Sequence, residues 1–175
     1  LAVLFDRYSR GSNWHRPWML AMAYDDGALN RPAEGSARIW WRHAYPEAYK
    51  SLVEEHQGLG SNPPYYLYAI MRKESGYAPH VLSYADAQGL LQMIPATTIR
   101  VAQRLGVPYA PGDLYEPRLN ITTASWYIGR LLAKFKGQIP LGAGAFNSGP
   151  RPVMRWLDQN GKRPIDELVE LVSYQ

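Results

Sequence analysis

The chain has 175 residues, 46% of them apolar and 19% charged, which is a globular balance that argues against disorder and allows one sizeable domain, or one domain plus part of another. It has no cysteine, which excludes disulfides and thiolate metal sites, and no stretch approaches the roughly 18–20 continuous apolar residues of a membrane span. A net charge of +4 and a pI near 9.3 suit an anionic partner, but Lys and Arg are scattered along the chain, so nucleic acid is not expected as that partner.

The first ten residues, "LAVLFDRYSR", carry no Met, no basic n-region and no signal-type apolar run, and read as part of something longer. Beyond them, Pro and Gly punctuate a series of helix-period segments, Pro near the starts and Gly past the ends. The spacing predicts an all-α chain with helices near 13–25, 33–43, 46–57, 63–75, 95–105, 118–136, 140–147, 150–159 and 164–172, their ends placed to about 2–4 residues. "HAYPEAY", residues 43–49, interrupts the pattern at Pro46 and marks the expected domain boundary. Residues 1–44 hold too few helices to bury much core alone and read as the end of a helical array, with a second domain from 45 to 175.

Asn62 followed by Pro63 reads as the opening of the helix that runs to Ser75. The segment 77–94 loses the helical period, and "SYADAQGLLQ" mixes polar, small and Gly residues as a functional loop or small hairpin would. The clearest helix is 118–136, whose Ile121, Ala124, Ile128, Leu131, Leu132 and Phe135 form one apolar face, with Gly137 as the stop.

One residue stands out chemically. In "LYAIMRKESGYAPH", residues 67–80, Glu74 falls in the last helical turn before Gly76, where the exposed carbonyls make the helix end negative. A half-buried carboxyl there has its pKa raised by desolvation and by the dipole together, and a raised carboxyl is a proton donor. The 13 Tyr and six Trp can line a carbohydrate cleft, although aromatic side chains fill cores by default. The four His have no metal-ligand spacing, so neither a metal site nor a cofactor is expected.

Three pieces share one order along the chain: "ES" at Glu74–Ser75, "GLLQMIP" at 89–95 and "AFNSGP" at 145–150. With "YLYAIMRKES" and the preceding "YP", they resemble the catalytic domain of the soluble lytic transglycosylases, muramidases with a goose-lysozyme-like fold, whose pattern reads approximately ES, GLMQ, AYNAGP. The resemblance runs from about Tyr45 to the end of the chain. It implies a lysozyme-like helical domain, and the helices before it look like the end of the superhelix that precedes the domain in that family.

The resemblance assigns roles residue by residue. Glu74 matches the family's single catalytic acid/base: it first protonates the glycosidic oxygen between N-acetylmuramic acid and N-acetylglucosamine. As carboxylate it then takes the proton of the muramyl 6-hydroxyl, closing a 1,6-anhydro ring, so no second carboxyl is needed. Ser83 and Gln92 match substrate-contacting polar positions, Met93 and Ile94 an apolar wall beside the acid, and Asn147 the Asn that orders the cleft. Glu170 aligns loosely with an acidic position that contacts the peptide stem, and Gly89 allows a close backbone approach or a positive φ. The implied partner is the peptidoglycan strand, the implied location the periplasm or cell envelope, and the implied form a monomer.

Two departures from the pattern bear on activity. Phe146 stands where the family has a tyrosine whose hydroxyl lies near the acid, and Leu91 where Met is usual. The chain also stops at "ELVSYQ", where family members continue with a helix that closes the domain. Alternatives are a goose-type lysozyme hydrolysing the same bond, with Asp86 positioning a water, a non-catalytic peptidoglycan-binding scaffold and, remotely, a helical nucleic-acid-binding domain.

Overall fold

Proline stands at the first or second position of four of the described helices, where it lacks only an N–H that the first turn leaves unpaired anyway. The computed structural model describes residues 2–11, 13–161 and 163–171. Among the described residues ten α-helices follow one another: α1 (Ala2–Arg10), α2 (His15–Ala23), α3 (Ala37–Ala44), α4 (Lys50–His56), α5 (Tyr66–Ser75), α6 (Pro95–Leu105), α7 (Pro117–Lys134), α8 (Ile139–Ser148), α9 (Pro150–Asn160) and α10 (Ile165–Glu170). Short 3-10 turns lie at Ala28–Asn30, Gln57–Gly60 and Asp113–Tyr115. Among the described residues there is no β-strand, only isolated bridges pairing Leu82 with Gln88 and Gln88 with Met93. The all-α expectation holds, and no described helix is long and apolar enough to cross a membrane.

Helix α7 is the spine. Its Ile121, Ala124, Ile128 and Leu132 are buried together with Leu67, Ile70 and Met71 of α5 and with Tyr77, Leu90, Leu91, Met93 and Leu114 from the connecting segments. The far end of α7 continues through Leu131 and Phe135 into a second cluster with Leu141 and Ala145 of α8 and Val153 of α9. Past Lys134 the Gly137 amide turns back to the Leu132 carbonyl at 2.8 Å, closing the helix as its glycine predicts.

A third, smaller cluster gathers Phe5, Ala21 and Ala44 with Leu20, Leu29 and Trp40. It holds α1, which lies ahead of the first helix expected from sequence. The buried Phe5 side chain anchors the helix, stacked on His43 at 4.2 Å and edge-on to Trp40 at 5.7 Å. Tertiary packing decides its existence where propensity does not.

Three helix starts lie later than expected. Residues 32–36 are irregular, with a turn at 35–36 before α3, and α4 begins only after Tyr49, which takes a left-handed conformation at φ +55°. Asn62 does not cap α5. Its Nδ2 donates to the Ser125 carbonyl at 3.0 Å and lies 2.9 Å from Ser125 Oγ, tying the α4–α5 connection to α7, while α5 starts at Tyr66 behind a left-handed Tyr65. The polar side chain found a better buried partner across the fold than at its own helix end. Residue 172, the expected end of the last helix, lies outside the described residues.

Candidate active site

Leu67, Ile70 and Met71 lie on one stripe of α5, one turn apart, and Glu74 is the next residue on that stripe. Helical geometry therefore draws its carboxyl toward the core, where it ends half-buried. Burial pushes its pKa up, and the neighbouring Lys73 opposes this with a smaller downward pull. Among the described residues no hydrogen bond or ion pair holds the carboxyl. The carboxyl is thus shifted toward its neutral form and left without a competing partner among the described residues.

The turn after Glu74 is set by Gly76, at φ +55°, whose amide donates to the Arg72 carbonyl at 3.2 Å. Ser75 then joins the helix end to the 81–93 loop: its Oγ lies 2.7 Å from the Leu90 carbonyl, its main acceptor, and 3.2 Å from that of Met71. The loop is a small hairpin-like unit. Gln88 and Met93 exchange both backbone hydrogen bonds, the Gly89 amide donates to Val81, and the Ser83 amide donates to Ala87. Gly89, at φ +78°, is pressed against α7, so that a β-carbon there would collide with the Leu114 carbonyl oxygen and the Asn120 amide.

Asn120 is the anchor beneath this loop. Fully buried, it accepts the Leu91 amide on Oδ1 and donates from Nδ2 to the Gln88 and Leu114 carbonyls, each at 2.9 Å. The side chain thereby pairs the buried Leu91 amide and Leu114 carbonyl and adds a second donor to the Gln88 carbonyl. Gln92 sits in a left-handed conformation at φ +45°, with Nε2 donating to the Val81 and Gly89 carbonyls at 3.1 and 2.9 Å. Its amide nitrogen is spent inside the loop, leaving Oε1 as the acceptor free for a ligand. Ser83 Oγ accepts the Ala85 and Ala87 amides at 3.2 and 3.0 Å and keeps its own proton to donate.

Of the other residues singled out by sequence, Met93 is core, 2% exposed, and Ile94 is 46% exposed at the cap of α6. Phe146, half-buried on α8, packs at 6.0 Å against Tyr127 of α7 and onto the same core as α5. Asn147 follows it on α8 and is exposed, and Glu170 is exposed at the end of α10. Asp86 is exposed in the loop at φ +61° and accepts Gln88 Nε2 at 3.0 Å. The structure thus joins Glu74 to the loop of Ser83 and Gln92 through Ser75, and leaves Glu170 on a separate element. Ser75 and Asn120 escaped the sequence reading as functional positions. The sign of Asn120 was a polar side chain one turn before Ala124 on the apolar face of α7.

Comparison with known proteins bears on the family and the fold. The family model described as Transglycosylase SLT domain matches residues 51–169. The soluble lytic murein transglycosylase of Escherichia coli strain K12 is 30% identical over 128 residues, 70% of this chain and 20% of that protein. The putative soluble lytic murein transglycosylase of Haemophilus influenzae is 31% identical over 173 residues, 95% of this chain and 27% of that protein. The crystal structure of the 70 kDa soluble lytic transglycosylase of Escherichia coli superposes with a TM-score of 0.75 at 25% identity, over 90% of this chain and 24% of that one. The chain thus spans about a fifth to a quarter of the length of these relatives. With the family model covering more than half of its residues, the chain belongs to the transglycosylase SLT domain family.

Proposed function

We propose that the chain is a peptidoglycan lytic transglycosylase unit that cleaves the β-1,4 bond between N-acetylmuramic acid and N-acetylglucosamine, with Glu74 as acid and then base. The observation that carries this reading is the state of Glu74: half-buried, raised in pKa by desolvation and without an ion pair among the described residues. In this reading Glu74 enters the reaction protonated, which the upward shift favours, and gives its proton to the leaving oxygen. The carboxylate so formed accepts the proton of the muramyl 6-hydroxyl as that oxygen bonds to C1, which closes the ring and returns Glu74 to its starting form. Glycosidases that activate water or use an enzyme nucleophile need a second carboxyl at a fixed separation. Intramolecular attack by the substrate's own hydroxyl needs one.

The remaining assignments follow. Gln92 Oε1 and the Ser83 hydroxyl hold amide and hydroxyl groups of the sugar, Asn147 extends that row from α8, and Phe146 closes the apolar side. Glu170 contacts the peptide stem. The substrate places the enzyme in the cell envelope, in keeping with relatives named for action on murein. Residues 45–175 form the catalytic domain and residues 1–44 a lead-in from a longer helical array.

The test is Glu74→Gln, which keeps the shape and removes the transferable proton. Turnover of purified peptidoglycan falls by at least about 10²–10⁴-fold, the worth of general acid–base help, while glycan binding persists. Near-parental turnover in that variant refutes the assignment.

A further inference from the structure

Glu74 stands between two grips, both supplied by the first 45 residues. Two positions after it, the Gly76 carbonyl accepts a hydrogen bond from His15 Nδ1 at 2.8 Å. A carbonyl only accepts, so the His15 ring carries a proton on Nδ1. Trp18 lies against the same glycine so closely that a β-carbon at position 76 would overlap the six-membered ring of its indole. Trp18 also meets Tyr77 edge-on at 6.3 Å. Two positions before Glu74, Arg72 Nε donates to the Ala44 carbonyl at 3.2 Å, Nη2 lies 3.4 Å from the Met22 sulfur, and the guanidinium sits 4.6 Å over the Tyr45 ring.

The last turn of a helix is ordinarily its loosest part, with carbonyls that lack partners and ends that fray. Here that turn is bonded, packed and stacked from α2, α3 and the residue after α3. We infer that His15, Trp18 and Arg72 are positioning residues for the acid: the segment ahead of the catalytic domain clasps the end of α5 and fixes where the Glu74 carboxyl stands. The inference rests on the acid–base role of Glu74 proposed above. A displacement of about 1 Å at a reacting group can cost on the order of 10²-fold in rate, so the clasp acts on turnover more than on substrate binding.

Loosening the helix end would let the half-buried Glu74 carboxyl move toward water. The charged group acting on Glu74 is Lys73, on its own turn. Around the clasp stand Arg72, Tyr45, Tyr77 and His15, with the Tyr77 hydroxyl pushed up to about 12, chiefly by burial, so that it stays neutral through the range in which a carboxyl titrates. Asp86 lies on the loop joined to Ser75.

The experiment compares His15→Ala, His15→Asn, Trp18→Ala and Trp18→Phe with the parent chain. The readouts are kcat and KM on a soluble glycan fragment, the folded fraction, and the titration of the Glu74 carboxyl by carbon NMR, assigned by its loss in Glu74→Gln. His15→Ala and Trp18→Ala lower kcat about tenfold or more with KM within about twofold, and move the Glu74 midpoint to lower pH as water enters. His15→Asn restores both, because asparagine Nδ2 branches from Cγ as histidine Nδ1 does. If Trp18→Ala does not fold, Trp18→Phe thins the same contact and shifts the midpoint in the same direction. An unchanged Glu74 midpoint in folded His15→Ala and in the folded Trp18 variant, with activity falling only as the folded fraction falls, overturns the inference. Should Glu74→Gln retain turnover, the acid–base reading fails by itself, and the carboxyl titration still decides whether the clasp exists.

Discussion

Ser75 Oγ lies 2.7 Å from the Leu90 carbonyl, and this buried contact joins the residue next to the proposed acid to the turn that carries Gln92. Ser75→Ala leaves a buried acceptor unpaired, which costs about 1–3 kcal/mol. Urea denaturation measures that loss. The same variant separates the helix end from the loop, so kcat falls in the fraction that remains folded, which a merely structural hydroxyl does not require.

Asn120 holds the loop from below with three hydrogen bonds to backbone groups. Asn120→Ala orphans the Leu91 amide and leaves the Gln88 and Leu114 carbonyls without that donor, a loss on the order of 3 kcal/mol, near the upper end for one substitution. Thermal unfolding reads the cost. Amide hydrogen exchange across residues 88–93 accelerates more than exchange in the middle of α7, because the variant frees the loop before the spine.

How much of this was legible in the sequence depended on whether a signal was local. The apolar stripe 121–135 and the glycines at 76 and 137 act through their own helix, and those elements lie where the pattern put them. Asn62, by contrast, carried a good capping signal and spent its amide on Ser125, 63 residues away, so α5 begins at Tyr66. Helix α1 lies ahead of the first helix expected from sequence and is held through Phe5 and its ring partners. Within the site, Glu74 was readable from its position before a glycine. Its raised pKa comes first from burial, which position alone does not fix. Asn120 and Ser75 act on backbone groups distant in sequence and left almost no local mark.

The raised pKa of Glu74 makes a prediction about pH with a definite sign. The folded protein binds the Glu74 proton up to a higher pH than the unfolded chain, so that proton's contribution to stability is complete below the unfolded carboxyl pKa. It is lost as pH rises through the folded one. Glu74→Gln removes this dependence. At neutral pH the variant is more stable than the parent, and the difference shrinks as the pH is lowered through the carboxyl range. Chemical denaturation at several pH values checks both statements.

Phe146 offers a way to tune the acid from outside its own helix. Phe146→Tyr restores the hydroxyl that the family carries at this position, and donation to the Glu74 carboxylate stabilises the charged form. The pKa of Glu74 falls, and because the reaction begins with Glu74 protonated, the basic limb of the kcat/KM profile moves to lower pH. An unchanged limb means that residue 146 does not reach the acid.

The central claim concerns what attacks C1 of the muramyl residue. Ring closure and water addition differ by one water in product mass, so mass spectrometry of muropeptides released from purified peptidoglycan separates them directly. The account predicts products that end in 1,6-anhydro-muramic acid, with Asp86→Asn keeping most of the parental turnover. Products with predominantly reducing ends, abolished by Asp86→Asn, contradict it.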